Sequence, residues 1–156
     1  MPISKYTYGL DEIKLDGTKI GEVFKGTCKF NAPEPTLTKF YEEGKTNPKL
    51  IIQENGEITL EFSIMNPTLQ FCKQYLGGTY DDTLKKWSFG NESGIIVPGE
   101  FDIISKQGKD ILVKEGYLSA SIEWDISDTA LFLVKCKVFP LLPEDGSEPI
   151  EVTEKA

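Results

Sequence analysis

Few residues in this chain are typed and spaced for chemistry. The adjacent carboxylates Glu42-Glu43 and Asp81-Asp82 could hold a hard cation, which takes oxygen ligands, but adjacent acids in polar loops ordinarily stay solvated. Ser93 stands in Gly90-Asn91-Glu92-Ser93-Gly94. That spacing is not the strained nucleophile elbow of a hydrolase, and the chain has no histidine to take the serine proton. Asn91-Glu92-Ser93 spells a glycosylation sequon, which has meaning only in a secreted chain. Lys85-Lys86-Trp87 sets two cations beside an aromatic ring, a combination able to meet phosphate and base, though anchoring a loop is its commoner use. No glycine-rich phosphate loop is present. No catalytic, cofactor-binding or metal residue is therefore assigned, and the expectation is a protein that is not an enzyme.

Composition narrows the choice further. Without histidine the chain lacks the commonest general base, proton shuttle and metal ligand. Every basic residue is lysine, so the planar guanidinium fork for phosphate, carboxylate or guanine is missing too. Acidic residues outnumber basic ones, 25 to 17, for a net charge of -8. Duplex-binding surfaces work by neutralising phosphates with cations, so specific nucleic-acid binding is not expected. Cys28, Cys72 and Cys136 are odd in number and sit in apolar patterns, as buried free thiols of a reducing compartment do. The N-terminus carries no apolar signal region and the longest apolar run is Ala130–Val134. Synthesis in the cytoplasm with no membrane span is the expectation.

The elements that must position any site read mostly as strands. A chain of 156 residues suits one domain, here residues 1–143 followed by a tail, 144–156, expected to be extended or mobile because the stretch from Pro140 is rich in Pro, Glu and Asp. From Val23 the period is two, with Phe24, Gly26, Cys28 and Phe30 opposite Lys25, Thr27, Lys29 and Asn31, as in a half-buried strand. Residues 31–49 hold three prolines and read as a whole as a long excursion, mobile until it meets a neighbour, although Thr36–Tyr41 has the pattern for an edge strand. Glu54-Asn55-Gly56 between two apolar runs predicts a hairpin turn. Beyond it Ile58, Leu60, Phe62 and Ile64 alternate with Thr59, Glu61 and Ser63. Asn66-Pro67, the stripe Met65, Leu69, Cys72 and Leu76, and Gly77 predict a helix over 67–76 capped by Asn66. Further on, Ile111–Lys114 ends at a Glu-Gly turn. After the turn Ala120, Ile122, Trp124 and Ile126 oppose Ser119, Ser121, Glu123 and Asp125, and Leu131–Phe139 returns with Phe132, Val134, Cys136 and Val138 opposite Lys135 and Lys137. The spacing allows those two lysines to pair across strands with Glu123 or Asp125. Runs of strands with a single helix predict a mainly β fold, an antiparallel β-sandwich or half-barrel with one short α-helix packed on it.

The remaining signal is spread over surfaces. Long strands have a wholly polar second face, which serves solubility in an isolated sandwich. Completion of exposed strands by other copies of the chain is the alternative. YGLDEIKLDG (8–17), TLTKFYEEG (36–44), ENGEITLEFSIMNPTLQFCKQYLGGTY (54–80) and the two-strand ending in VFP (138–140) together resemble the tail-tube proteins of long-tailed bacteriophages and prophages. The likeness runs from about residue 6 to 143, and its motifs are structural rather than catalytic.

The resemblance implies a structural subunit of a virion tail. Such subunits form hexameric rings that stack into a conduit, which DNA passes without specific binding. Tape-measure, tail-terminator and baseplate proteins are the implied further partners. Thr59, Glu61, Ser63, Ser119, Ser121, Glu123 and Asp125 would then face the lumen, and Pro35, Thr36, Leu37, Phe40 and Tyr41 would belong to an inter-subunit loop. Two other readings fit the sequence. One is the related tube subunit of a contractile injection or type VI secretion machine. The other is a monomeric β-sandwich module that binds carbohydrate or protein.

Overall fold

The computed structural model describes residues 6–91 and 98–155. The first half holds β1 (Glu12–Leu15), β2 (Thr18–Lys19), β3 (Lys29–Asn31), β4 (Thr36–Phe40), β5 (Leu50–Glu54) and β6 (Thr59–Ile64). Then follow α1 (Leu69–Leu76), β7 (Thr79–Asp81) and β8 (Lys86–Ser88). The last part holds β9 (Gly99–Ile104), β10 (Lys109–Glu123), β11 (Leu133–Pro140) and β12 (Ile150–Glu154). The fold is mainly β, antiparallel, with one short helix.

One curved sheet carries the core, in the order β2-β1-β9-β10-β11-β6-β3, with β12 added beside β10. Its organiser is β10. The first half of that strand pairs with β9 on one side and β12 on the other, and its second half pairs with β11. A Glu-Gly turn was the sequence expectation at residues 115–116. Instead the strand runs through, and the pairing register with β9 shifts between Val113 and Gly116. Such a bulge bends a strand and reverses which side chains face inward. Val113 faces the core before it and Leu118 after it, both buried. A Cβ on Gly116 would lie 2.6 Å from Val138 Cγ1 and 2.7 Å from Phe101 Cδ2, so glycine is what lets the sheet fold over Phe101. The concave side then buries Ile13, Leu60, Phe62, Ile64, Phe101, Val113, Leu118, Val134 and Val138.

The helix closes this half-barrel. It starts two residues later than the spacing predicts, because Thr68 rather than Asn66 is the cap and its hydroxyl accepts the Phe71 N–H at 3.1 Å. A cap of this kind is worth about 1 kcal/mol. Cys72 and Tyr75 are its buried side chains. Leu76 packs on the core margin, whereas Leu69, expected inside, is only half-buried. The β7–β8 hairpin supports the far end: Trp87 donates its indole N–H to Gly77 O at 2.8 Å and stacks on Phe89 at 4.0 Å. That is the loop-anchor role for Lys85-Lys86-Trp87.

Three further expectations are changed or sharpened. The strand expected from Val23 to Phe30 is broken at Gly26, which adopts φ +82°. The chain therefore touches β6 twice, at Val23↔Ile64 and along β3. The tail beyond residue 143 is extended and docked as β12, held by Lys155 on Asp110 at 3.2 Å and Lys114 on Glu151 at 3.0 Å. Partial burial pushes the Asp110 carboxyl up. Hydrogen bonds from the Ser105 N–H and the Lys155 ammonium outweigh that effect and hold it below its usual range.

The excursion is the third. Residues 36–54 form a separate two-stranded hairpin, β4 with β5; the strand allowed at Thr36–Tyr41 is present as β4, but it pairs with β5 alone. Its turn lies near Glu42, whose carbonyl accepts the Lys45 N–H at 3.0 Å. Asn55-Gly56 is not a hairpin turn, since β5 and β6 pair with different strands. A Cβ at Gly56 would approach Pro33 Cγ to 2.5 Å, so this glycine lets the two stems of the hairpin meet at its base.

Candidate functional site

The outer face of β3, β6, β11 and β10 forms a concavity of about 510 Å³. Strand pairing places Ser119, Lys137, Glu61 and Lys29 in one row across four strands. Ser121, Lys135 and Ser63 make the next row. The turn at Gly26 and Thr27 roofs one side. Thr27 Oγ1 accepts the Ser63 N–H at 3.1 Å and donates to Phe24 O at 2.6 Å, which pins this turn to the free edge of β6.

Charges on this face are paired across strands. Lys135 meets Glu123 at 2.7 Å, one of the partners the spacing allowed. Lys137 instead meets Glu61 on β6 at 3.6 Å, because β11 lies between β10 and β6. All four side chains are about half exposed. Exposed pairs of this sort contribute about 0–1 kcal/mol, so their consequence is for the charge of the face more than for the fold.

Of the expected lumen-facing set, Glu61, Ser63, Ser119 and Ser121 come together in the concavity, and Glu123 stands at its border through Lys135. Thr59 and Ser63 are largely buried within the single chain. Asp125 lies past the end of the ladder. Pairing of β10 with β11 stops at Glu123↔Leu133, and the residues beyond leave the sheet. For the same reason Trp124 and Ile126 are not core residues but exposed, with Trp124 edge-on to Phe132 at 5.5 Å. Gly26, Thr27 and Lys29 were not predicted at this site. Their alternation was visible, but that β3 would pair with β6 was not.

The second candidate surface is the hairpin. Every residue of β4 and β5 is exposed, and apart from each other these strands make no substantial contact with another element. Leu37, Phe40, Tyr41, Leu50, Ile51 and Ile52 each lie about half open to solvent. Phe40 pairs with Leu50 and Thr38 with Ile52, which puts Phe40, Leu50 and Ile52 on one face. Leu37 and Ile51 occupy the other. Pro35 and Thr36 lead into it and Tyr41 follows it, all exposed.

The groups singled out for chemistry have local tasks. Asp81 accepts the N–H groups of Thr83 and Leu84 at 3.0 and 3.2 Å, closing a turn. Ser93 lies outside the described residues. Among the described residues no cluster of three or more acidic or cysteine side chains is arranged for a metal. The cysteines are free, Cys72 and Cys136 buried and Cys28 half-buried. Burial, with Cys72 nearby, pushes the Cys136 thiol up to about 12, and burial raises Cys28 and Cys72 as well. None forms thiolate readily at neutral pH. The chain matches no family model and no curated protein.

Proposed function

We propose that this chain is the structural subunit of a phage tail tube, assembling into stacked hexameric rings that conduct DNA, with no catalytic activity of its own. The observation that carries this reading is the β4–β5 hairpin. A lone two-stranded hairpin is marginal in water, and this one exposes large apolar side chains on both faces. Its sequence is suited to burial against another surface of the same assembly, not to solvent.

Sheet edges support the same reading. The four strands β10-β11-β6-β3 have an outer edge at β3 and, among the described residues, no partner along Tyr117–Glu123 of β10 opposite β11. Unpaired edges are templates for another strand, and a ring of copies would satisfy both ends at once. Six such four-stranded sheets, spaced at about 4.8 Å, give a circumference of about 115 Å and a backbone diameter of about 37 Å before tilt. That width admits a DNA duplex. The polar face with Glu61, Ser119 and Ser121 would line it, and the apolar face with its helix would lie outward. The same geometry suits a secretion tube. The concavity favours one other reading, a monomeric binding module, which predicts a chain that stays monomeric.

Labelling tests the inward face. Ser121→Cys, exposed in the single chain, should react with a bulky polymer-linked maleimide quickly as monomer and at least about tenfold more slowly once assembled, since channel walls exclude large reagents. Equal rates in both states would place this face on the outside.

A further inference from the structure

We propose that Glu61 and Glu123 are charge masks: each holds a lysine ammonium that would otherwise bind the phosphates of nucleic acid at this face. The biological setting rests on the tube reading, but the chemistry belongs to the single chain. In a protein with net charge -8, the concavity is a local exception, because Lys29, Lys135 and Lys137 converge on it. Two carboxylates stand against these three cations. Glu123 meets Lys135 at 2.7 Å. Glu61 has Lys137 at 3.6 Å on one side, and Lys29 is its register partner on the other.

The placement suits screening better than stabilisation. These pairs are half exposed and so worth little to folding, yet they occupy ammoniums at a surface where three lysines gather. Freed lysines would each displace a counterion from DNA. Binding through three phosphate contacts would be about 40-fold tighter at about 50 mM than at about 200 mM salt, and a stack of rings would multiply the contacts into a trap. With the carboxylates in place one positive charge of the three stays uncompensated on each subunit's face, which weakens the hold on a duplex.

The test is a nuclear magnetic resonance titration of the chain, kept below its assembly concentration, with a short DNA duplex at low salt. Glu61→Gln with Glu123→Gln should produce duplex-dependent shifts at Lys29, Ser119, Ser121, Lys135 and Lys137 that vanish on adding salt. The parent chain should show none there. Adding Lys135→Gln and Lys137→Gln should remove the shifts. If the double variant is poorly folded, Glu123→Gln alone, at an exposed pair, should give the part of the pattern centred on Lys135. A folded variant without shifts, or a parent that shifts equally, overturns the masking. Failure of the tube reading is a separate result, the absence of tubes from the parent protein, and the titration does not depend on it.

Discussion

Phe40→Ser combined with Ile52→Ser should give a chain that melts with the parent and forms no tubes where the parent does. Both side chains lie on one face of the β4–β5 hairpin, about half exposed, and neither packs against the core. Removing them cannot open a cavity, so the melting temperature should stay within about 2–4 °C of the parent. In an assembly the same side chains become buried anchors. Truncating an anchor of this kind costs about 2 kcal/mol or more, roughly 30-fold in affinity per contact, and each ring repeats the loss at every subunit. Sedimentation and calorimetry on the same samples would separate the two effects. Deleting the hairpin is the stronger form of the experiment. The cut should run from Pro33 to Gly56, which approach each other at the base. A cut at 35–47 would remove β4 and leave β5 without its partner. Normal tubes from either variant would remove the hairpin from assembly.

Phe101→Ala should be the most damaging single truncation for the monomer. Phe101 is 1% exposed and sits where β10 bends at Gly116, so it fills the corner between the two halves of the sheet. Loss of a buried phenylalanine costs about 3–5 kcal/mol, a large part of the roughly 5–15 kcal/mol that holds a domain together. Urea unfolding should show the midpoint falling in proportion with the slope unchanged. Phe101→Leu should recover most of the loss. An unchanged midpoint would mean that the corner collapses without cost and that Gly116 alone sets the bend.

Much of the fold was legible because burial follows period. Leu60, Phe62 and Ile64, and Val134, Cys136 and Val138, alternate as read and line the core. What alternation cannot report is which strands pair. Asn55-Gly56 looked like a turn because Asn-Gly closes many hairpins. Yet the two apolar runs flanking it join different sheets, and the turn that does form, near Glu42, is longer and more ordinary. Glu115-Gly116 looked like a turn for the same reason, while its glycine serves close packing against Val138 and Phe101. At the site, Glu61, Ser119 and Ser121 were recoverable from the polar side of two strands. Lys29 and Thr27 were not, because their place depends on the edge pairing of a three-residue strand. Alternation in the sequence continues to Asp125, past the point where the ladder ends.

Electron microscopy of the purified protein across a concentration series tests the tube reading most directly. The expected result is rings that stack into hollow tubes, with the β10-β11-β6-β3 sheet continuous around a lumen about 37 Å across its backbone. Monomers at every concentration, or an assembly with that sheet facing solvent, would contradict it.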